Sequence, residues 1–87
     1  MYFLANKVTI AATPTKVVTL PPNPGGGVVV TNTGSNPAYL GGAAVTSATG
    51  FLLAAGASVT LPTGSNQATL VAVAPASTTL SYIASVG

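Results

Sequence analysis

The sequence holds no aspartate, glutamate, histidine, arginine, cysteine or tryptophan. Each absence closes a class of function. Paired-acid hydrolysis needs carboxylates, a nucleophile–base triad needs histidine or its equivalent, and a metal centre needs a cluster of ligating side chains. A serine–lysine dyad is the one formal route left. Lys7 and Lys16 both lie on alternating, strand-like stretches, where a solvated outward face is the ordinary role. The chain is therefore read as a non-enzyme with no cofactor and no metal.

Charge is almost missing as well. Two lysines are the only charged side chains, and residues 17–87 carry none. The pI of about 9.4 follows from the lack of acids and marks no basic patch. Two lysines cannot make the several phosphate contacts of a nucleic-acid binder. Long apolar runs are lacking too, since Pro, Gly, Thr, Ser or Asn interrupts every 18-residue window, so no membrane span is expected. The opening MYFLANK places its apolar residues before its lysine, the reverse of a secretory signal. Synthesis and assembly in a cytoplasm are expected.

What is present is small, apolar and hydroxylated: hydrophobic residues make up 48%, with 10 glycines and 7 prolines among 87 residues. That length suits one domain, which buries only about two-thirds of its unfolded surface and is marginal alone. The lack of cysteine rules out disulfides as reinforcement, and the lack of histidine nearly removes metals, which leaves association. Soluble monomers usually carry surfaces about a quarter to a third charged. A surface hydrated only by Thr, Ser, Asn and Gln suits a subunit whose faces are covered in an assembly.

Along the chain, Met1 to Asn6 is an apolar arm containing Tyr2, Phe3 and Leu4, and residues 7–87 form a single β domain. The arm has two readings, an edge strand or frayed end on its own core, or a segment that docks on a neighbouring subunit. Lys7 to Ala12 alternates, with Val8, Ile10 and Ala12 on one face. Thr13-Pro14 turns the chain, and Thr15 to Leu20 is a β-branched strand. The run PPNPGGG, Pro21 to Gly27, excludes helix and sheet; with no Gly-Lys-Ser/Thr after it, it is a flexible exposed loop and no phosphate cradle.

Val28 to Val30 is an unbroken apolar run expected to be covered on both faces. Asn32 to Pro37 is a turn cluster, Ala38-Tyr39-Leu40 a strand ending at Gly41-Gly42, and Ala43 to Thr49 a small, hydroxylated stretch around Val45. Phe51-Leu52-Leu53 is expected to return to the core. Ser58 to Leu61 alternates with Val59 and Leu61 inward, and Pro62 to Gln67 is a loop. Ala68 to Ala74 is the strongest buried strand of the second half, and Thr78 to Ser85 sets Leu80, Tyr82 and Ala84 opposite Thr79, Ser81 and Ile83. Tyr39, Phe51 and Tyr82 fit packing better than a ligand platform. Seven to eight short strands with turn signals between them predict an all-β fold, a small antiparallel β-sandwich or barrel, jelly-roll-like in build.

Between Asn32 and Ala74 the turn glycines and apolar pairs form a series: Asn32-Thr33-Gly34, Ala38 to Gly42, Val45-Thr46, Gly50 to Leu53, Gly56 to Leu61 and Leu70 to Ala74. This series resembles small structural proteins of tailed bacteriophages, over about residues 28 to 85. The resemblance implies a virion component, a capsid decoration or head accessory protein that binds the outer surface of the phage head and stabilises the shell. It also implies the major capsid protein as partner, a homo-oligomer, most simply a trimer, and a place on the capsid surface after assembly in the host cytoplasm. Ala43, Ala44 and Ala57 stand where related sequences usually carry acids, which favours apolar and hydrogen-bonded contacts over charged ones.

The residues expected to make those contacts are Tyr2, Phe3 and Leu4 of the arm, Pro22, Asn23 and Pro24 of the first loop, and Asn66 and Gln67 of the loop before the Ala68 strand. An alternative is a phage tail, fibre or surface-adhesion module that grips a host glycan with loop Asn and Thr and with Tyr39. The lack of acids and tryptophan stands against that alternative. A pilus or matrix subunit is a third reading, opposed by the absence of an export signal.

Overall fold

A computed structural model describes residues 2–86 of the chain. They form eight strands: β1 (Tyr2–Ile10), β2 (Thr15–Leu20), β3 (Gly27–Asn32), β4 (Ala38–Gly41), β5 (Phe51–Leu53), β6 (Ser58–Pro62), β7 (Ala68–Val73) and β8 (Thr78–Val86). Two four-stranded sheets result, one in the order β1-β8-β3-β6 and the other β2-β7-β4-β5. All neighbours run antiparallel.

The order has a simple generating rule. The chain doubles back at its middle between β4 and β5, and pairs nest outward from there as β4–β5, β3–β6, β2–β7 and β1–β8. Rolling that long hairpin up adds the β3–β8 and β4–β7 ladders and divides the strands between two sheets. This is the double-sheet jelly roll. The antiparallel winding sends the β1–β2, β3–β4, β5–β6 and β7–β8 connections to one end, here the turn end. The β2–β3, β4–β5 and β6–β7 connections leave from the other, the loop end, where β1 begins and β8 finishes.

The core lies between the sheets and is built by period-two alternation. Leu80, Tyr82 and Ala84 of β8, Val28 and Val30 of β3, and Leu40 and Leu53 from the opposite sheet are all buried in it. A bulge between Lys16 and Val18 lets consecutive valines, Val17 and Val18, both join this core. On the outer face of the β2-β7-β4-β5 sheet, Val45 from the β4–β5 loop covers Val71 and Val73, with Tyr39 against them. Hydrogen bonds from Thr49 N and Gly50 N to Thr46 O fold that loop tightly enough to hold Val45 there.

Several expectations change. Of the two readings of the Met1 to Asn6 arm, the pairing fits the edge strand: Tyr2 to Asn6 pair with β8 in one register with the rest of β1, and Met1 lies outside the described residues. The strand stops at Ile10, so Ala12, expected on the buried face, is exposed in the β1–β2 connection. Val28 and Val30 are buried at 3% and 0%, but Val29 is 37% exposed because no layer covers the outer face of the β1-β8-β3-β6 sheet. In FLL only Leu53 reaches the core; Phe51 and Leu52 are 60% and 55% exposed on a three-residue edge strand. The PPNPGGG run, expected to exclude sheet throughout, gives its last residue to β3, where Gly27 pairs with Pro62, and is hydrogen-bonded at Asn23 and Gly26.

Polar groups are placed with equal care at the turn end. Asn32 is completely buried at the end of β3, on the same face as Val28 and Val30. Its Nδ2 donates to Asn36 O at 2.8 Å and to Leu53 O at 3.0 Å. Its Oδ1 accepts from Gly34 N at 3.1 Å and Thr78 Oγ1 at 2.8 Å. One amide thereby joins the β3–β4 turn, β5 and β8, with both donors and both acceptor sites used.

Candidate contact end

The loop end gathers every residue singled out as a contact. Tyr2, Phe3 and Leu4 open β1, where Phe3 lies opposite Ser85 of β8. Asn23, in the β2–β3 connection, donates from Nδ2 to Ser85 O at 2.8 Å. Its backbone N–H donates to Gly64 O at 2.9 Å, and its carbonyl accepts from Gly26 N at 2.9 Å and Thr63 Oγ1 at 2.8 Å. The β2–β3 and β6–β7 connections are thus tied to each other and to the end of β8. A Cβ on Gly26 would run into the Asn23 amide and the Thr63 hydroxyl, so a larger residue would have to displace the side chains that tie the loops together.

Within that end the candidates divide. Tyr2, Phe3, Leu4, Pro22, Pro24, Asn66 and Gln67 are exposed and available to a partner. Asn23 is half-buried with its amide N–H spent on Ser85, so it positions the loop instead of presenting a contact group. No charged side chain belongs to either loop; this end offers only shape, apolar area and neutral hydrogen-bonding groups.

Two features escape a residue-by-residue reading. Ala5, Ile83, Val29 and Thr60 stand side by side across the outer face of the β1-β8-β3-β6 sheet, giving an exposed apolar row next to Phe3. Ile83 is legible as outward from its alternation with Thr79 and Ser81, whereas Val29 is hidden inside a triple-valine run. Phe51 and Leu52 add exposed apolar area on the other sheet.

A cleft of about 120 Å³ opens between the sheets at the loop end, lined by Val18, Leu20, Val28, Leu61 and Leu70 among others. Another of about 230 Å³ lies beside Val45, Pro14 and Pro75 at the turn end. Both fall below the ~300–1,000 Å³ of small-molecule sites and neither carries a charged group. Among the described residues no His, Cys, Asp or Glu cluster could hold a metal, and no helix is long and apolar enough to cross a membrane.

No family model matches the chain, and neither does any curated protein or solved structure.

Proposed function

We propose that this chain is a structural virion protein, a capsid-decoration subunit that seats its loop end on the outer surface of a phage head and stabilises the shell. The observation carrying this reading is the convergence at one end of an uncharged contact surface: Tyr2 to Leu4, the β2–β3 loop and the β6–β7 loop, tied together through Asn23 and Thr63. A ligand that binds only the assembled shell stabilises it by mass action, with no chemistry required. The partner is the major capsid protein, met through apolar and neutral polar contacts, and the chain's lack of charge suits a protein covered on several sides.

The glycan-binding alternative has less support. Tyr39 is half-buried against Val45, Val71 and Val73, and the Asn36 amide donates to Ser77 O at 3.0 Å, so two of the readiest sugar-gripping groups are used internally.

Purified particles and a charged loop-end variant provide the test. The chain should co-purify with capsids and raise their melting temperature. The triple variant Pro22→Glu, Asn66→Asp, Gln67→Glu should fold normally yet lose capsid occupancy. Absence from purified particles, or undiminished occupancy of the variant, overturns the reading.

A further inference from the structure

The four sheet edges of this molecule are unequally protected. Edge strands offer unpaired backbone groups to other chains, and stable monomers blunt them with bulges, prolines, charge or short length. β2 has a bulge, Lys16 and flanking Pro14 and Pro21. β5 is three residues long, and β6 is five residues ending in Pro62. β1 has nine residues, no proline, no bulge and one lysine, and its side chains from Tyr2 to Lys7 are exposed on both faces.

We propose that β1 is a self-association edge, and that two copies of this chain pair through antiparallel β1 strands to join their β1-β8-β3-β6 sheets. The occupant is a strand because what lies open is a row of backbone donors and acceptors, which an extended chain satisfies. It is a second copy because the edge is self-complementary under a two-fold axis, and the register follows from the geometry. The N–H of Lys7 faces the free edge, where its neighbour Asn6 Oδ1 already accepts it at 2.8 Å. In an antiparallel ladder the outward-facing groups alternate, so Phe3 and Ala5 also face the free edge, without such a cap in their own sequence. Pairing Phe3 with Ala5 of the second copy, and Ala5 with its Phe3, centres the two-fold on Leu4.

That register has two consequences. Leu4 meets its own copy at a closely spaced pair, and Phe3 covers Ala5 on the outer face, extending the Ala5–Ile83–Val29 row into one apolar band across both molecules. The two Lys7 side chains lie six residues apart along the paired strands, roughly 20 Å, beyond the Debye length at physiological salt. A two-fold contact of this kind closes at two subunits. The ladder is short and buries less than the ~800 Å² per partner of a standard interface, so micromolar affinity is expected.

The test uses the full chain in sedimentation velocity and amide hydrogen exchange across a concentration series. The wild type should reach twice its 8.4 kDa mass, with the Phe3 and Ala5 amides becoming protected as dimer forms. Ala5→Pro removes an edge-facing donor without touching the β1–β8 ladder and should weaken the dimer at least ~10-fold. Ala5→Lys, which keeps the backbone intact, should do the same if the proline variant folds poorly. Thr60→Lys, on the β6 edge, should leave the dimer unchanged. A chain that stays monomeric, a trimer, or a dimer in which Ala5 variants and Phe3 and Ala5 exchange are unaffected overturns the proposal.

Discussion

Thr78 Oγ1 donates to Asn32 Oδ1 at 2.8 Å in a site closed to solvent, joining the start of β8 to the end of β3. That bond is one of four made by a single buried amide, and two of its partners, the Thr78 hydroxyl and Leu53 O, are buried with it. Asn32→Ala should therefore destabilise the fold by roughly 2–4 kcal/mol, as it strands the buried Thr78 hydroxyl and Leu53 carbonyl and removes the bonds to Gly34 N–H and Asn36 O. Urea unfolding measures this. A cost under about 0.5 kcal/mol would show that the knot at the turn end is incidental.

Glycine positions should separate by mechanism. A Cβ on Gly34 would overlap the Thr78 hydroxyl and press on Thr79 N at 2.8 Å, so Gly34→Ala should cost about 2–3 kcal/mol through overpacking. Gly56 has open space but φ of +80°, so Gly56→Ala should cost about 1 kcal/mol from backbone strain alone. Gly42→Ala, with open space and no positive φ, should stay within about 0.5 kcal/mol of wild type. Equal effects at all three in thermal melts would contradict the geometry.

The consecutive valines of β3 give a sharp contrast. Val30→Ala removes buried methyls from the centre of the core and should cost about 2 kcal/mol. Val29→Thr, on the open outer face, should change stability by no more than about 0.5 kcal/mol. Chemical denaturation of the two variants in parallel distinguishes a one-sided strand from one covered on both faces.

Stability should be nearly independent of pH between about 4 and 9, since none of the side-chain types that titrate in that range is present. Asn32→Asp should create a dependence. Burial opposite Asn36 O and Leu53 O would raise a carboxyl there above its unfolded pKa. The folded state then holds the proton more tightly than the unfolded chain, so this variant is least impaired at low pH. Its stability falls as pH rises through the raised folded value. Melts at pH 3 and pH 8, compared with wild type, check the sign.

The strands were legible where alternation was complete. In β8, Leu80, Tyr82 and Ala84 are buried and Ile83 exposed as the pattern predicts; in β7 the expected burial holds for Val71 to Val73, whereas Ala68 and Thr69 at its start are exposed. The failures share a cause: an apolar run says nothing about whether a second layer exists. Sequence alone places Val29 and Phe51-Leu52 in the interior for that reason, and their exposure reflects an uncovered face and a three-residue edge. Asn32 reads as part of a turn cluster, yet its spacing from Val28 and Val30 places it on the inward face. At the loop end the individual segments were visible, but their meeting was not. Ser85 lies 62 residues from Asn23, and only the nested strand pairing brings them together.

That nesting also orders events in time. β4 and β5 are separated only by Gly42 to Gly50, while β1 must wait for β8, the last of the eight strands. At about 5–20 residues per second of synthesis, β1 would spend several seconds without its partner. During that interval Tyr2, Phe3 and Leu4 travel on an unpaired strand with one lysine to keep it from its neighbours on the same message. The strand that finishes the sandwich is the one longest exposed to mispairing. Crowded synthesis, more than heat or acid, is the condition under which this chain should fail.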